Sequence, residues 1–135
     1  TFELQAPLVA LVDTPRVLAA LGKAAVLDAR GAPRFRGEVE PLDPIAGHLP
    51  GALNRPFNSN FDSNGFFKSA EQLRQEFNTL LAGRDPGSVI HHCGSGVSAV
   101  PNVLAMDIAG LGRQALYAGS WSEWSNTPGL PVAQG

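Results

Sequence analysis

A parallel α/β sheet flanked by helices is the fold class this sequence predicts, and three observations carry the prediction. Short apolar runs with the length of buried strands recur at residues 8–12, 25–29, 89–90 and 115–118. Between them lie segments with helical apolar spacing, bounded by capping residues, proline and glycine. No internal repeat or low-complexity tract interrupts the alternation, which is the order expected of strands joined by helical crossovers.

Leu8 to Val12 reads as an edge strand. Asp13 or Thr14 caps a helix with Pro15 in its first turn, Val17, Leu18 and Leu21 form its apolar face, and Gly22 ends it. Ala25 to Ala29 is a buried strand that puts Asp28 and Arg30 at its carboxyl end, where open parallel sheets carry their sites. Gly31 to Pro50, dense in charge, glycine and proline, reads as one long loop, and loops of that length are often functional. Gly47 to Asn54 turns into another short strand, and Asn58 to Asn64 has loop chemistry. Ser69 and Gln72 fit a capping box for a helix from Ala70 to Leu81, with Leu73, Phe77, Leu80 and Leu81 inward and Gly83 closing it. After Val89 and Ile90, apolar residues recur with helical spacing from Ala99 through Val103, Leu104, Met106, Ile108 and Ala109, until Gly110 and Gly112 stop the pattern. Ala115 to Ala118 is the last strand, and Gly119 to Trp124 opens a short turn or helix.

Composition narrows the function. A chain of 135 residues fits one domain that buries roughly two-thirds of its unfolded surface. Ten basic against twelve acidic side chains give a net charge of -2, which argues against a broad nucleic-acid surface. No apolar run approaches the roughly 20 residues of a membrane span, and the first residues lack the order of a secretion signal. The lone cysteine rules out an internal disulfide and suits a reducing, cytoplasmic setting, although a chain that starts at Thr1 reads as a processed or excised piece.

That cysteine, Cys93, lies on the turn between the 89–90 strand and the next helix, in Cys-Gly-Ser-Gly. Gly94 and Gly96 allow the backbone to curl so that successive N–H groups form an anion-binding cup, to which the helix adds its positive end. Such a cup favours the thiolate, the nucleophilic form of the side chain. The bland alternative is a buried cysteine acting as a small apolar residue, but that role needs no flanking glycines.

The Cys93 loop stands with Leu27-Asp28-Ala29-Arg30, Arg34-Phe35-Arg36-Gly37-Glu38, Gly47-His48-Leu49-Pro50-Gly51-Ala52 and Tyr117 with Gly119-Ser120-Trp121-Ser122-Glu123-Trp124. This set resembles the rhodanese, or sulfurtransferase, family, most closely the C-terminal catalytic domain of its two-domain thiosulfate and 3-mercaptopyruvate members. The resemblance implies a mostly parallel central sheet with helices on both faces over residues 1–135. It implies ping-pong transfer of a sulfane sulfur through a Cys93 persulfide held by the loop amides of Gly94, Ser95, Gly96, Val97 and Ser98. Donor and acceptor would be small molecules, the acceptor a thiol or cyanide, with no metal or organic cofactor and with an N-terminal domain of the same kind absent from this chain. Arg30 and Arg36 match positions that, by resemblance, bind the donor carboxylate, for which a planar guanidinium is suited. The neutral Gly94-Ser95 pair is similar to the mercaptopyruvate-using branch, with Ser95 relaying a proton or a hydrogen bond to the leaving enolate.

Other roles compete at several positions. Either arginine can instead tie down the long loop through Asp28 or Glu38. His48 fits a structural hydrogen bond in a turn, and Trp121 and Trp124 fit packing, with Trp121 also able to wall the site. Of the adjacent His91 and His92 at most one can approach Cys93, where an imidazolium would favour thiolate; either also fits a strand histidine with no such role. Ala118 stands where the family usually has Asp, and Ser98 replaces a Thr. A cysteine phosphatase would need an arginine six positions beyond the nucleophile, where this chain has Ala99. A thiosulfate-preferring enzyme and a non-catalytic partner-binding module complete the alternatives.

Overall fold

A computed structural model of the chain describes residues 9–94, 97–112 and 114–135. Its strands are β1 (Val9–Leu11), β2 (Val26–Asp28), β3 (Leu53–Asn54), β4 (Ile90–His92) and β5 (Gln114–Leu116). Its helices are α1 (Thr14–Ala20), α2 (Ala32–Arg36), α3 (Ala70–Leu81), α4 (Val100–Ile108) and α5 (Ser120–Asn126), with 3₁₀ turns at Phe57–Asn60 and Pro86–Ser88. The strands form one sheet in the order β1-β5-β4-β2-β3, and each neighbouring pair is parallel, so the expected α/β class holds with β1 at an edge.

Topology decides where the helices lie. The chain moves one way across the sheet from β1 to β2 to β3 and the other way from β3 to β4 to β5. Right-handed crossovers therefore send α1 and α2 to one face and α3 and α4 to the other. The cores agree: Leu73, Phe77 and Leu81 of α3 pack with Ala105 and Met106 of α4 over Ala25, Leu27 and Val89. On the opposite face Val17 of α1 packs with Val26, Ile90, Tyr117, Trp121 and Trp124. Direction reverses between β2 and β4, so the segments leaving those two strands diverge and open a crevice at their carboxyl ends.

Local chemistry sets the boundaries. Asp13 caps α1 by accepting the Arg16 N–H, and Ser69 caps α3 by accepting that of Gln72. The capping box is only half made, because the Gln72 side chain donates to Glu76 instead. At the other end of α3 the left-handed residue is Ala82, whose N–H satisfies the Asn78 carbonyl, ahead of Gly83.

Three expectations need correction. Residues 31–50 are not loop throughout: Pro33 in the first turn and left-handed Gly37 just past the end bracket α2. β4 begins at Ile90, so Val89 precedes the strand rather than opening it. The buried face of α4 is Asn102, Val103, Ala105 and Met106, while Leu104 and Ile108 are exposed. Asn102 is the polar exception in that core, donating to the Arg55 carbonyl and accepting from Asn60, which fastens the segment after β3 to α4.

Candidate active site

The crevice between the carboxyl ends of β2 and β4 encloses about 240 Å³. Ala29, Arg30 and Gly31 enter it from β2, Arg34 from α2, Leu42 and Asp43 from the segment beyond, Phe57 from the 3₁₀ turn, and Ser122 from α5. The Cys93 loop contributes Gly94 and Ser98, while Val97 points to solvent at 73% exposure. Cys93 follows β4 directly and is buried beside Ala29, Ala99 and Leu116. Ser95 and Gly96, expected to complete the loop, lie outside the described residues.

The start of α5 holds the backbone of the cysteine. Cys93 N–H donates to Ser120 Oγ (3.0 Å), and the Ser120 hydroxyl donates onward to the Tyr117 carbonyl (2.9 Å). Trp121 N–H donates to the Cys93 carbonyl (2.9 Å) and Ser122 N–H to that of Gly94 (2.8 Å). Ser120 does this from the left-handed region (φ 55°), a conformation costly for a residue with a Cβ, and it is fully buried. Gly119 before it leaves no room for a side chain, since a Cβ there would lie 2.7 Å from the Glu123 carboxyl carbon. These contacts join residues 27 and 28 positions apart, and no local sequence pattern announces them.

Gly94 serves the site by its size. It does not adopt a left-handed backbone. Instead the Arg34 guanidinium lies against it, so that a Cβ on Gly94 would come within 3.0 Å of Nη1. Sequence reading had not assigned Arg34 a role; the signal was there in Pro33 and Gly37, which bracket a helix on which Arg34 and Arg36 point about 200° apart. The three arginines are placed differently. Arg30 is buried in a fork with Asp28 (Nη2 to Oδ2, 2.6 Å), donates to the Gly47 carbonyl and stacks on Trp121 at 4.7 Å. Arg34 pairs through Nη2 with Glu40 (3.0 Å) and Asp43 (3.3 Å). Arg36 is exposed, pairs with Glu38, and does not line the crevice. Among the described residues, Arg30 Nη1 and Arg34 Nε are buried without a hydrogen-bond partner.

The histidines do not charge the site. Burial pushes His91 down to about 4, against the opposing contact of the Gln114 side chain. His92 is fully buried beside Asp28 (3.7 Å), its Nδ1 donating to the Cys93 carbonyl, and burial lowers its pKa below the usual value against the attraction of Asp28. Burial thus disfavours the charged form of both, which supports the strand-histidine reading over an imidazolium beside Cys93. For Asp28, burial opposes ionisation, but the charge that His92 carries when protonated and the Arg30 fork outweigh it and hold the carboxyl below its ordinary range. His48 stacks on Phe35 at 3.8 Å and bonds its carbonyl through Nδ1, a turn-fixing contact.

Burial of His91 has a pH consequence with a definite sign. The unfolded chain binds this proton near pH 6.5 and the folded protein only near 4. Stability is therefore whole above about pH 6.5 and falls as pH drops toward 4, by about 3 kcal/mol over the window. Urea denaturation at about pH 7.5 and about pH 4.5 checks this, and His91→Leu is expected to remove about 2–3 kcal/mol of the acid loss.

Among the described residues no three His, Cys, Asp or Glu side chains are grouped to hold a metal, and no helix is long and apolar enough to cross a membrane.

Residues 9–127 match the family model of the Rhodanese-like domain. The chain is 51% identical over 127 residues to a protein of Pseudomonas aeruginosa named probable 3-mercaptopyruvate sulfurtransferase, aligning 93% of this chain with 45% of that one. It is 45% identical over 120 residues to a Mycobacterium tuberculosis protein named putative thiosulfate sulfurtransferase SseB, aligning 87% with 40%. The crystal structure of Tum1 from Saccharomyces cerevisiae superposes with a TM-score of 0.78 at 30% identity, over 93% of this chain and 46% of that one. The chain thus spans less than half the length of these relatives.

Proposed function

Because the chain belongs to the rhodanese-like domain family, we propose that it is the catalytic, C-terminal half of a two-domain sulfurtransferase that works in the cytoplasm. The supporting observation is a guanidinium, that of Arg34, pressed against Gly94 in a crevice the size of a small organic acid, next to Cys93. The relatives' names point to 3-mercaptopyruvate or thiosulfate as donor. Of the two, the neutral side of the Cys93 loop favours the singly charged carboxylate of 3-mercaptopyruvate.

In this reading the donor carboxylate lies on Arg34, with the spare N–H of Arg30 behind it. Arg36, held on the surface by Glu38, yields the place expected for it to Arg34. The Cys93 thiolate attacks the donor sulfur, the carbon–sulfur bond breaks, and its electron pair leaves on the pyruvate enolate, which takes up a proton. Cys93 is left as a persulfide whose charge the loop amides of Gly94 to Ser98 stabilise. An acceptor thiolate or cyanide then attacks the outer sulfur and returns the Cys93 thiolate.

Single-turnover loading of the full-length protein, with mass spectrometry placing the sulfur, tests this. One sulfur gained at Cys93 from either donor is expected; no gain from both would leave the partner-binding module standing. Arg34→Met is expected to slow loading by 3-mercaptopyruvate about 10- to 100-fold, the worth of a charge-assisted hydrogen bond, while Arg36→Met stays within about twofold.

A further inference from the structure

Two guanidiniums and three carboxylates meet at this crevice, which leaves one negative charge in excess among Arg30, Arg34, Asp28, Glu40 and Asp43. The carboxylates are not equivalent. Asp28 is buried within the fold and committed to Arg30. Glu40 accepts the N–H groups of Leu42 and Asp43 (3.1 Å each) and so closes the turn it belongs to, as well as facing both arginines. Asp43 alone of the three lines the cavity, and its side-chain contact among the described residues is the 3.3 Å approach to Arg34 Nη2. Its carboxylate stands against the guanidinium that the proposed donor must engage.

We propose that Asp43 sets the charge of the donor, its carboxylate being exchanged on Arg34 for that of a monoanionic donor and repelling a dianionic one. This rests on the sulfurtransferase reading above. A monoanionic thiol acid replaces Asp43 on Arg34 charge for charge. A dianion such as thiosulfate carries one further unit of charge into a surround that is already negative, and at ~6 Å in a partly solvated site that unit is worth about a tenfold change in rate. Asp43 thereby adds to the neutrality of Gly94 a second, acidic discrimination in the same crevice.

Asp43→Asn keeps the size and the acceptor oxygen of the side chain and removes only its charge. On the full-length protein at constant ionic strength, the ratio of loading rates, thiosulfate over 3-mercaptopyruvate, is expected to rise about tenfold in Asp43→Asn and to stay within about twofold of wild type in Asp43→Glu. Should Asp43→Asn not fold, Asp43→Ser serves in its place with the same expectation. A ratio unchanged within about twofold in the neutral variant overturns the proposal. Calorimetric titration with sulfate, an unreactive dianion, reads the same effect without chemistry: its affinity is expected to rise about tenfold more than that for acetate in the neutral variant, and equal changes in both overturn it. Failure of wild type to load from either donor refutes the sulfurtransferase reading alone, because the sulfate titration still decides what Asp43 does.

Discussion

Cys93→Ser is expected to abolish sulfur loading and to lower turnover by about a thousandfold or more, with the fold intact. A serine oxygen at that place cannot form the sulfur–sulfur bond, and its hydroxyl is a far weaker nucleophile than a thiolate. The fold has little reason to respond. The main-chain hydrogen bonds of residue 93, from its N–H to Ser120 Oγ and to its carbonyl from Trp121 N–H, survive the exchange. The side-chain neighbours Ala29, Ala99 and Leu116 meet an atom slightly smaller than sulfur. Turnover assayed beside thermal unfolding therefore separates chemistry from packing. Residual loading of the variant above about one-tenth of wild type would place the nucleophile elsewhere.

The largest loss of stability is expected from Asp28→Asn, about 3–5 kcal/mol, or a fall in Tm of about 10–20 °C. Asp28 is fully buried and meets Arg30 through the guanidinium fork and through the Arg30 N–H (3.0 Å). Neutralising it strands a buried guanidinium whose remaining partners are the Gly47 carbonyl and Glu40 at 3.6 Å. A buried ion pair is worth little against a well-packed apolar replacement, but removing one partner leaves the other's desolvation uncompensated. For that reason the double variant Asp28→Asn with Arg30→Met is expected to recover part of the loss. The same carboxyl adds to acid sensitivity with a definite sign: its folded pKa is depressed, so its contribution is present above the ordinary carboxylate range and is lost as pH falls through the folded value. Chemical denaturation of the two variants and wild type measures all three outcomes.

The parts of this molecule that were legible in its sequence are those written in local chemistry. Ser69, the apolar period of Leu73, Phe77 and Leu81, and the residues after Leu81 mark α3 to its ends because caps and spacing act within a few residues. The place of Cys93, between a strand and the next helix, was legible for the same reason. Harder to see was α2, since a five-residue helix rich in charge, proline and glycine has the composition of a loop. Missing it hid the fact that Arg34 and Arg36 face apart, Arg34 into the crevice and Arg36 to the surface. Gly94 was read as backbone freedom, whereas its neighbour in space, Arg34, needs the room. The histidine pair shows a third limit: sequence places them on a strand, but only their complete burial decides against the charged form of both. The clamp from Ser120, Trp121 and Ser122 onto residues 93 and 94 has no local signature, because its partners meet only after β5 has joined β4.

That clamp fixes an order of events as the polypeptide leaves the ribosome. The cysteine emerges well ahead of the serine that receives its amide hydrogen, and through that interval its own N–H and carbonyl lack the partners that α5 supplies. A nascent chain halted before residue 120 carries the thiol without this clamp, so the surroundings of residue 93 are not complete until nearly the whole of this length has been translated.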